Sequence, residues 1–321
     1  MAMQVQPLLI GVDVSKAELV ICRGSEAALE TIANEPAAIK AWLVSLPPGL
    51  GCLAVEATNV YHLELVAQAH RQGHTVYVVD GFRLSRYREG VGGRAKTDSS
   101  DARLLQRYLE RERNDLRPWS PPSAGYVAIQ RLLHRRATLV SATVALRQSL
   151  GDFPELKRAT ATLFRQLARV DALLVRRLRE SISQHGWASD VARCQAMEGI
   201  GPITAAALTM AFRRGHFRNS DAFVAFLGLD VRVRDSGQAR GRRKLTKQGD
   251  PELRRLLHLA AMQACRSITW QAFYQRYLQR GLTKTQALVI LARKLARVAF
   301  ALLKNQSDYQ PRAPQGGCVA T

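Results

Sequence analysis

Three prolines, Pro118, Pro121 and Pro122, fall within residues 116–123 and forbid a helix from running through the middle of the chain. Each lacks a backbone N–H and fixes φ, so the segment predicts a domain boundary. The texture differs on its two sides. Before it, short apolar runs alternate with helical spacing; after it, Leu, Val and Ala recur with helical periodicity, interleaved with Arg. A chain of 321 residues has room for two or three cores. The expected division is 1–115, 116–190, 191–305 and a tail, 306–321, whose Pro and Gly predict disorder.

In the first part, 8–14 reads as an apolar, β-branched strand, 18–23 as its hairpin partner and 28–33 as a third strand. Pro36 opens a helix through Leu46. Residues 51–57 read as a buried strand, 61–71 as a helix, 74–80 as a strand ending at a turn glycine, and 101–113 as a charged helix. Three strands, helix, strand, helix, strand and helix is the order of an RNase H-like sheet, an α/β fold.

Beyond the prolines, 126–149 and 159–185 predict two long helices broken near 151–154. They suit a coiled-coil dimerisation arm or a helical hairpin closed within one chain, and their spacing, not a clean heptad, leaves both readings open. From Cys194 onward the chain reads as mainly α, with helices at 251–269, 270–279 and 283–304 and an irregular basic segment at 231–250.

Charge narrows the partners. The chain carries 47 Lys and Arg against 26 Asp and Glu, a formal +21, which repels itself unless a polyanion is present. Nucleic acid fits, and the absence of a membrane-length apolar run or a signal-peptide pattern favours a cytoplasmic, nucleoid-associated protein over a membrane-surface one. Five scattered cysteines with no Cys-x-x-Cys argue against a disulfide framework and a zinc site, and single histidines such as His62 or His258 read as structural.

Three acidic stations could do chemistry. Asp13 lies in Gly-Val-Asp-Val-Ser on the first strand, Glu56 in Val-Glu-Ala-Thr at the end of a later one, and Asp98 with Asp101 in Lys-Thr-Asp-Ser-Ser-Asp-Ala at a helix start. Asp98 and Asp101, three apart, share a helix face. Carboxylates gathered this way repel one another until a hard divalent cation, Mg²⁺ or Mn²⁺, neutralises them. Taken singly, Asp98 is also a plausible N-cap and Asp13 an ordinary strand-end acid.

A second constellation runs from Arg232 to Lys244 and holds Ser236 before a glycine, among Arg232, Arg234, Arg240, Arg242, Arg243 and Lys244. Such cations would stabilise a phosphoryl transition state, and the serine could attack phosphorus; an ordinary phosphate-binding turn is the plainer reading. The third is Met197-Glu-Gly-Ile-Gly-Pro, where Gly199 and Gly201 open a helix whose amides could meet a phosphate in the manner of a helix-hairpin-helix.

In that order, these motifs resemble the insertion-sequence one-ten family of transposases, the DEDD, Piv-like recombinases, over about residues 8–304. The resemblance implies a RuvC-like N-terminal domain, a helical coiled-coil linker and a mainly α C-terminal transposase domain. It also implies that Asp13, Glu56, Asp98 and Asp101 hold Mg²⁺ and that Ser236 becomes covalently joined to a DNA 5′ phosphate. A structured non-coding bridge RNA pairing with target and donor DNA is implied as partner, as is a homo-oligomer, dimer to tetramer, in which the acids of one subunit meet the serine of another. Where the family commonly has Gly after Glu-Ala-Thr this chain has Asn59, a residue that tolerates left-handed backbone better than most. A RuvC-like nuclease working through metal-activated water, and a non-catalytic nucleic-acid scaffold, are the competing readings.

Overall fold

A computed structural model describes residues 7–24, 29–92, 97–232, 235–236, 239–240 and 244–311, with the backbone alone at 235–236 and 239–240. It divides into two compact units, Met1–Pro121 and Pro122–Thr321.

The first unit is built on five strands, β1 (Leu8–Val14), β2 (Glu18–Arg23), β3 (Leu29–Ala33), β4 (Gly51–Glu56) and β5 (Thr75–Val79). They lie in the order β3-β2-β1-β4-β5. β1–β2 and β2–β3 pair antiparallel; β1–β4 and β4–β5 pair parallel. This mixed sheet is the RNase H-like arrangement that the element order predicts.

Strand alternation divides the side chains between two faces. Ile10, Val12 and Val14 of β1, with Leu53 and Val55 of β4, join a core that includes Ile39, Trp42 and Leu43 of α1 (Pro36–Val44) and Leu65, Val66 and Ala69 of α2 (Leu63–Arg71). The opposite face, with Cys52, Ala54, Tyr77 and Val79, packs against Leu84 of α3 (Gly81–Gly90) and Leu104, Leu105, Tyr108 and Leu109 of α4 (Asp98–Glu112). A 3₁₀ turn, Arg113–Asp115, follows.

Two expectations need correction here. Gly81 does not end a strand in a turn: Asp80 Oδ1 accepts from Phe82 N at 3.1 Å and Arg83 N at 3.2 Å, so Asp80-Gly81 caps the start of α3. The charged helix also starts earlier, at Asp98, because Thr97 and Ser100 form a reciprocal capping box.

The second unit is helical. α5 (Ala124–Leu150) and α6 (Lys157–Gln184) pack on each other as a hairpin, tied by Arg136 Nε to Asp171 Oδ1 at 2.9 Å, with a 3₁₀ turn at Pro154–Leu156 between them. Only the hairpin's root is buried, through Ile129 and Leu133 of α5 and Leu178 and Ile182 of α6; Val144, Leu146, Leu163, Val170 and Leu173 are exposed. The root joins a core shared by α7 (Ala188–Gln195), α8 (Pro202–Phe212), α9 (Ser220–Phe226), α10 (Pro251–Ala264), α11 (Ile268–Gln279) and α12 (Lys284–Asn305).

The segment expected to be irregular holds four two-residue strands: β6 (Val231–Arg232), β7 (Asp235–Ser236), β8 (Ala239–Arg240) and β9 (Lys244–Leu245). β6 pairs β9, and β7 pairs β8. The expected disorder of 306–321 is corrected at its start. Gln306 takes a left-handed backbone (φ 53°) and donates to Asp190 at 3.1 Å, and the Tyr309 hydroxyl donates to Glu198 at 2.6 Å; residues 312–321 lie outside the described ones. No described helix is long and apolar enough to cross a membrane.

Candidate active site

The β1–β4 register aligns Val12 with Val55, so one step further along the parallel pair Asp13 stands level with Glu56. Neighbouring strands lie about 4.8 Å apart, and both acids point to the α4 face. What brings Asp101 to them is Gly11. A Cβ there would stand 2.1 Å from the Ala102 carbonyl oxygen and 2.4 Å from Gln106 N, so the missing side chain lets α4 lie directly on β1. One carboxylate oxygen each from Asp13, Glu56 and Asp101 then falls within 4.8 Å of the others. Gly81 makes room on the other side, since a Cβ there would be 2.6 Å from Glu56 Oε1.

The electrostatics are those of crowded anions. The Asp13 carboxyl is pushed up to about 6, first by burial, then by Asp101, Asp98 and Glu56. Asp101, only 5% exposed, is partly compensated: Arg88 of α3 donates to its Oδ1 at 2.6 Å, and Ser100 Oγ donates to the same oxygen at 3.3 Å. Three carboxylate oxygens drawn together from separate elements suit a hard divalent cation such as Mg²⁺ or Mn²⁺.

Asp98 stands apart. It is the first residue of α4, exposed and outside the close group, and acts on Asp13 through space. Its placement at N1, beside the N-cap Thr97, also favours the helix dipole. Arg88 was not legible as a partner of the acids, because Gly81 reads in the sequence as a turn glycine, with no helix assigned to the residues that directly follow it. Asn59 has φ 45°, a left-handed backbone of the kind that asparagine tolerates better than most residues.

In the second unit the glycines divide the work. Gly199 has φ +84°, and a Cβ there would meet the Ala260 carbonyl oxygen at 2.5 Å and Ala264 N at 2.6 Å, so it serves contact with α10. Gly201 is exposed, caps α8 and has open space around its Cβ position. Glu198, between them and Met197, accepts from Thr269 Oγ1 and the Tyr309 hydroxyl, both at 2.6 Å. Burial alone would raise its carboxyl; these two donors hold it below the usual range and fix the turn.

Ser236 lies on β7 opposite Ala239, with Asp235 opposite Arg240. Arg232 and the exposed Lys244 pair across the stem below it. Arg234, Arg242 and Arg243, and the side chains of Ser236 and Arg240, lie outside the described residues.

Residues 10–153 match the IS110 DEDD transposase family model, and residues 191–278 match the model described as transposase IS116/IS110/IS902 family. The chain belongs to the IS110 family of transposases. It is similar to a pilin gene-inverting protein of Moraxella bovis, 27% identical over 81% of this chain and 82% of the relative. It is also similar to a probable family 20 transposase of Pseudomonas aeruginosa, 28% identical over 93% of this chain and 94% of the relative. The transposase is therefore a DNA recombinase, and the first matched region carries Asp13, Glu56, Asp98 and Asp101 while the second carries Ser236.

Proposed function

We propose that this transposase exchanges DNA strands by attack of the Ser236 hydroxyl on phosphorus, assisted by a divalent ion, Mg²⁺ or Mn²⁺, held by Asp13, Glu56, Asp101 and, from the rim, Asp98. The observation that carries the reading is the meeting of three carboxylates from β1, β4 and α4 within 4.8 Å. Such a group is costly with no cation and useful with one. A bound ion would polarise the phosphoryl oxygen and stabilise charge building on it.

The serine's part balances bond for bond. An O–P bond forms between Ser236 Oγ and the phosphorus, the P–O3′ bond breaks, and the serine proton ends on the departing 3′ oxygen. The DNA 5′ phosphate stays on the protein as an ester. A 3′ hydroxyl from another strand reverses the same exchange, so no outside energy source is needed. One relative's name records gene inversion and another's transposition, and this exchange serves either.

A structured bridge RNA, pairing with target and donor DNA, would supply the sequence recognition. The formal charge of +21 supports a protein that holds a long RNA and DNA together. The basic segment from Arg232 to Lys244, including Arg234, Arg240, Arg242 and Arg243, and the Gly199–Gly201 turn are the proposed contacts to the phosphate backbone. The exposed apolar residues along α5 and α6 support assembly into a dimer or tetramer.

A denaturing gel of reacted complexes tests the mechanism. DNA is expected to migrate with the wild-type polypeptide, while Ser236→Ala and Asp98→Asn give neither adduct nor cut strand. Cutting by Ser236→Ala without an adduct would assign the reaction to metal-activated water. RNA extracted from the purified complex tests the bridge.

A further inference from the structure

The segment that carries Ser236 leaves the helical unit through β6 and rejoins it through β9. Beneath this stem, against the first half of α12, lies a cavity of about 530 Å³. Val231, Leu245, Leu282 and Val289 give it an apolar wall, and Arg293 of α12 brings a guanidinium into it.

Arg293 is poorly compensated where it stands. Its Nε is buried and has no hydrogen-bond partner. Burial and the neighbouring Arg297 weaken its hold on its proton, with Asp230 and Asp221 acting the other way. Neither acid is idle: Asp221 is paired with Arg297 at 2.8 Å, and Asp230 accepts from Val231 N at 2.8 Å. A half-buried cation with an unused N–H lowers stability, and such a residue is best explained by a ligand that completes it.

We propose that the cavity receives one unpaired nucleotide of the DNA strand, with its phosphate on Arg293 and its base against the apolar wall. Lys244, exposed on β9 and also lining the cavity, adds a second cation for the same phosphate. A guanidinium matches phosphate oxygens with paired N–H donors. An apolar wall takes a base face only once that base has left its stack, which excludes a nucleotide still paired in a duplex. The cavity would therefore hold the strand open beside the serine segment. The inference rests on the preceding section only in taking the ligand to be the DNA on which the transposase acts.

Fluorescence anisotropy tests it with two labelled probes, a duplex containing a short single-stranded gap and the same duplex fully paired, titrated in EDTA across a salt series. The wild-type protein is expected to prefer the gapped probe. Arg293→Gln is expected to lose that preference, bind the gap about tenfold more weakly and lower its salt slope by about one. Val289→Trp fills the cavity with Arg293 intact and is expected to lose the preference as well. Thermal unfolding serves as the control, and Arg293→Gln without DNA is expected to melt no lower than wild type. Unchanged gap preference in both variants, or equal losses on the two probes, would overturn the proposal. No strand is cut in EDTA, so a missing serine adduct and a missing gap preference are separate results.

Discussion

At the scale of single residues, Asp13 makes the clearest demand. Its carboxyl is raised to about 6 from 3.8, so the folded protein holds this proton more tightly than the unfolded chain. The group therefore supports the ion-free fold at low pH and withdraws that support as pH rises from about 4 through about 6. Asp13→Asn is expected to stabilise the ion-free protein at pH 7.5 by on the order of 1 kcal/mol after solvent screening, and to make no such difference at pH 3.5. Thermal melts in EDTA read the effect. Added Mg²⁺ should raise the wild-type midpoint above pH 6 and leave the variant's nearly unmoved. The acids were legible one by one, because each sits at an element's end within a recognisable motif. Their grouping was only half legible. Spacing in a helix pairs Asp98 with Asp101, yet the close partners of Asp101 are Asp13 and Glu56, brought near by strand register and by the bare backbone at Gly11.

At the scale of elements, the approach of α4 to β1 is the contact on which the acidic group depends. Gly11→Ala puts a methyl where the Ala102 carbonyl and Gln106 N already stand, and is expected to cost on the order of 3 kcal/mol in urea unfolding. Thr97→Ala removes one half of the capping box and is expected to cost about 1 kcal/mol, with weaker Mg²⁺ binding because Asp98 and Asp101 ride on that first turn. Calorimetric titration of Mg²⁺ separates the two effects. The strands were legible almost to the residue, since β1 is a mostly apolar run rich in branched side chains and β2 an apolar run between Glu18 and Arg23. α3 was not: Asp80-Gly81 reads equally as a turn or as a capped helix start, and the choice is made by Leu84 finding the sheet. The strands around Ser236 were hidden for a related reason, being two residues each with no apolar pattern to betray them.

At the scale of the whole molecule, the formal +21 dominates. Affinity for any duplex is expected to fall steeply and log-linearly with salt, and anisotropy at several ionic strengths measures the slope. The helix hairpin was legible as two long helices but not as partner-binding or self-contained, because a stripe of apolar residues looks the same in either case. Its observed pairing within the chain, rooted at Ile129 and Ile182, still leaves apolar side chains along its outer length. The same scale governs the turn at Glu198, which is pinned by Thr269 and by Tyr309, a residue 111 positions further on. Its final shape must wait until the ribosome has released Tyr309. A nascent product that stops short of Tyr309 would carry the acids of the first unit but a Glu198 turn lacking one of its two side-chain donors.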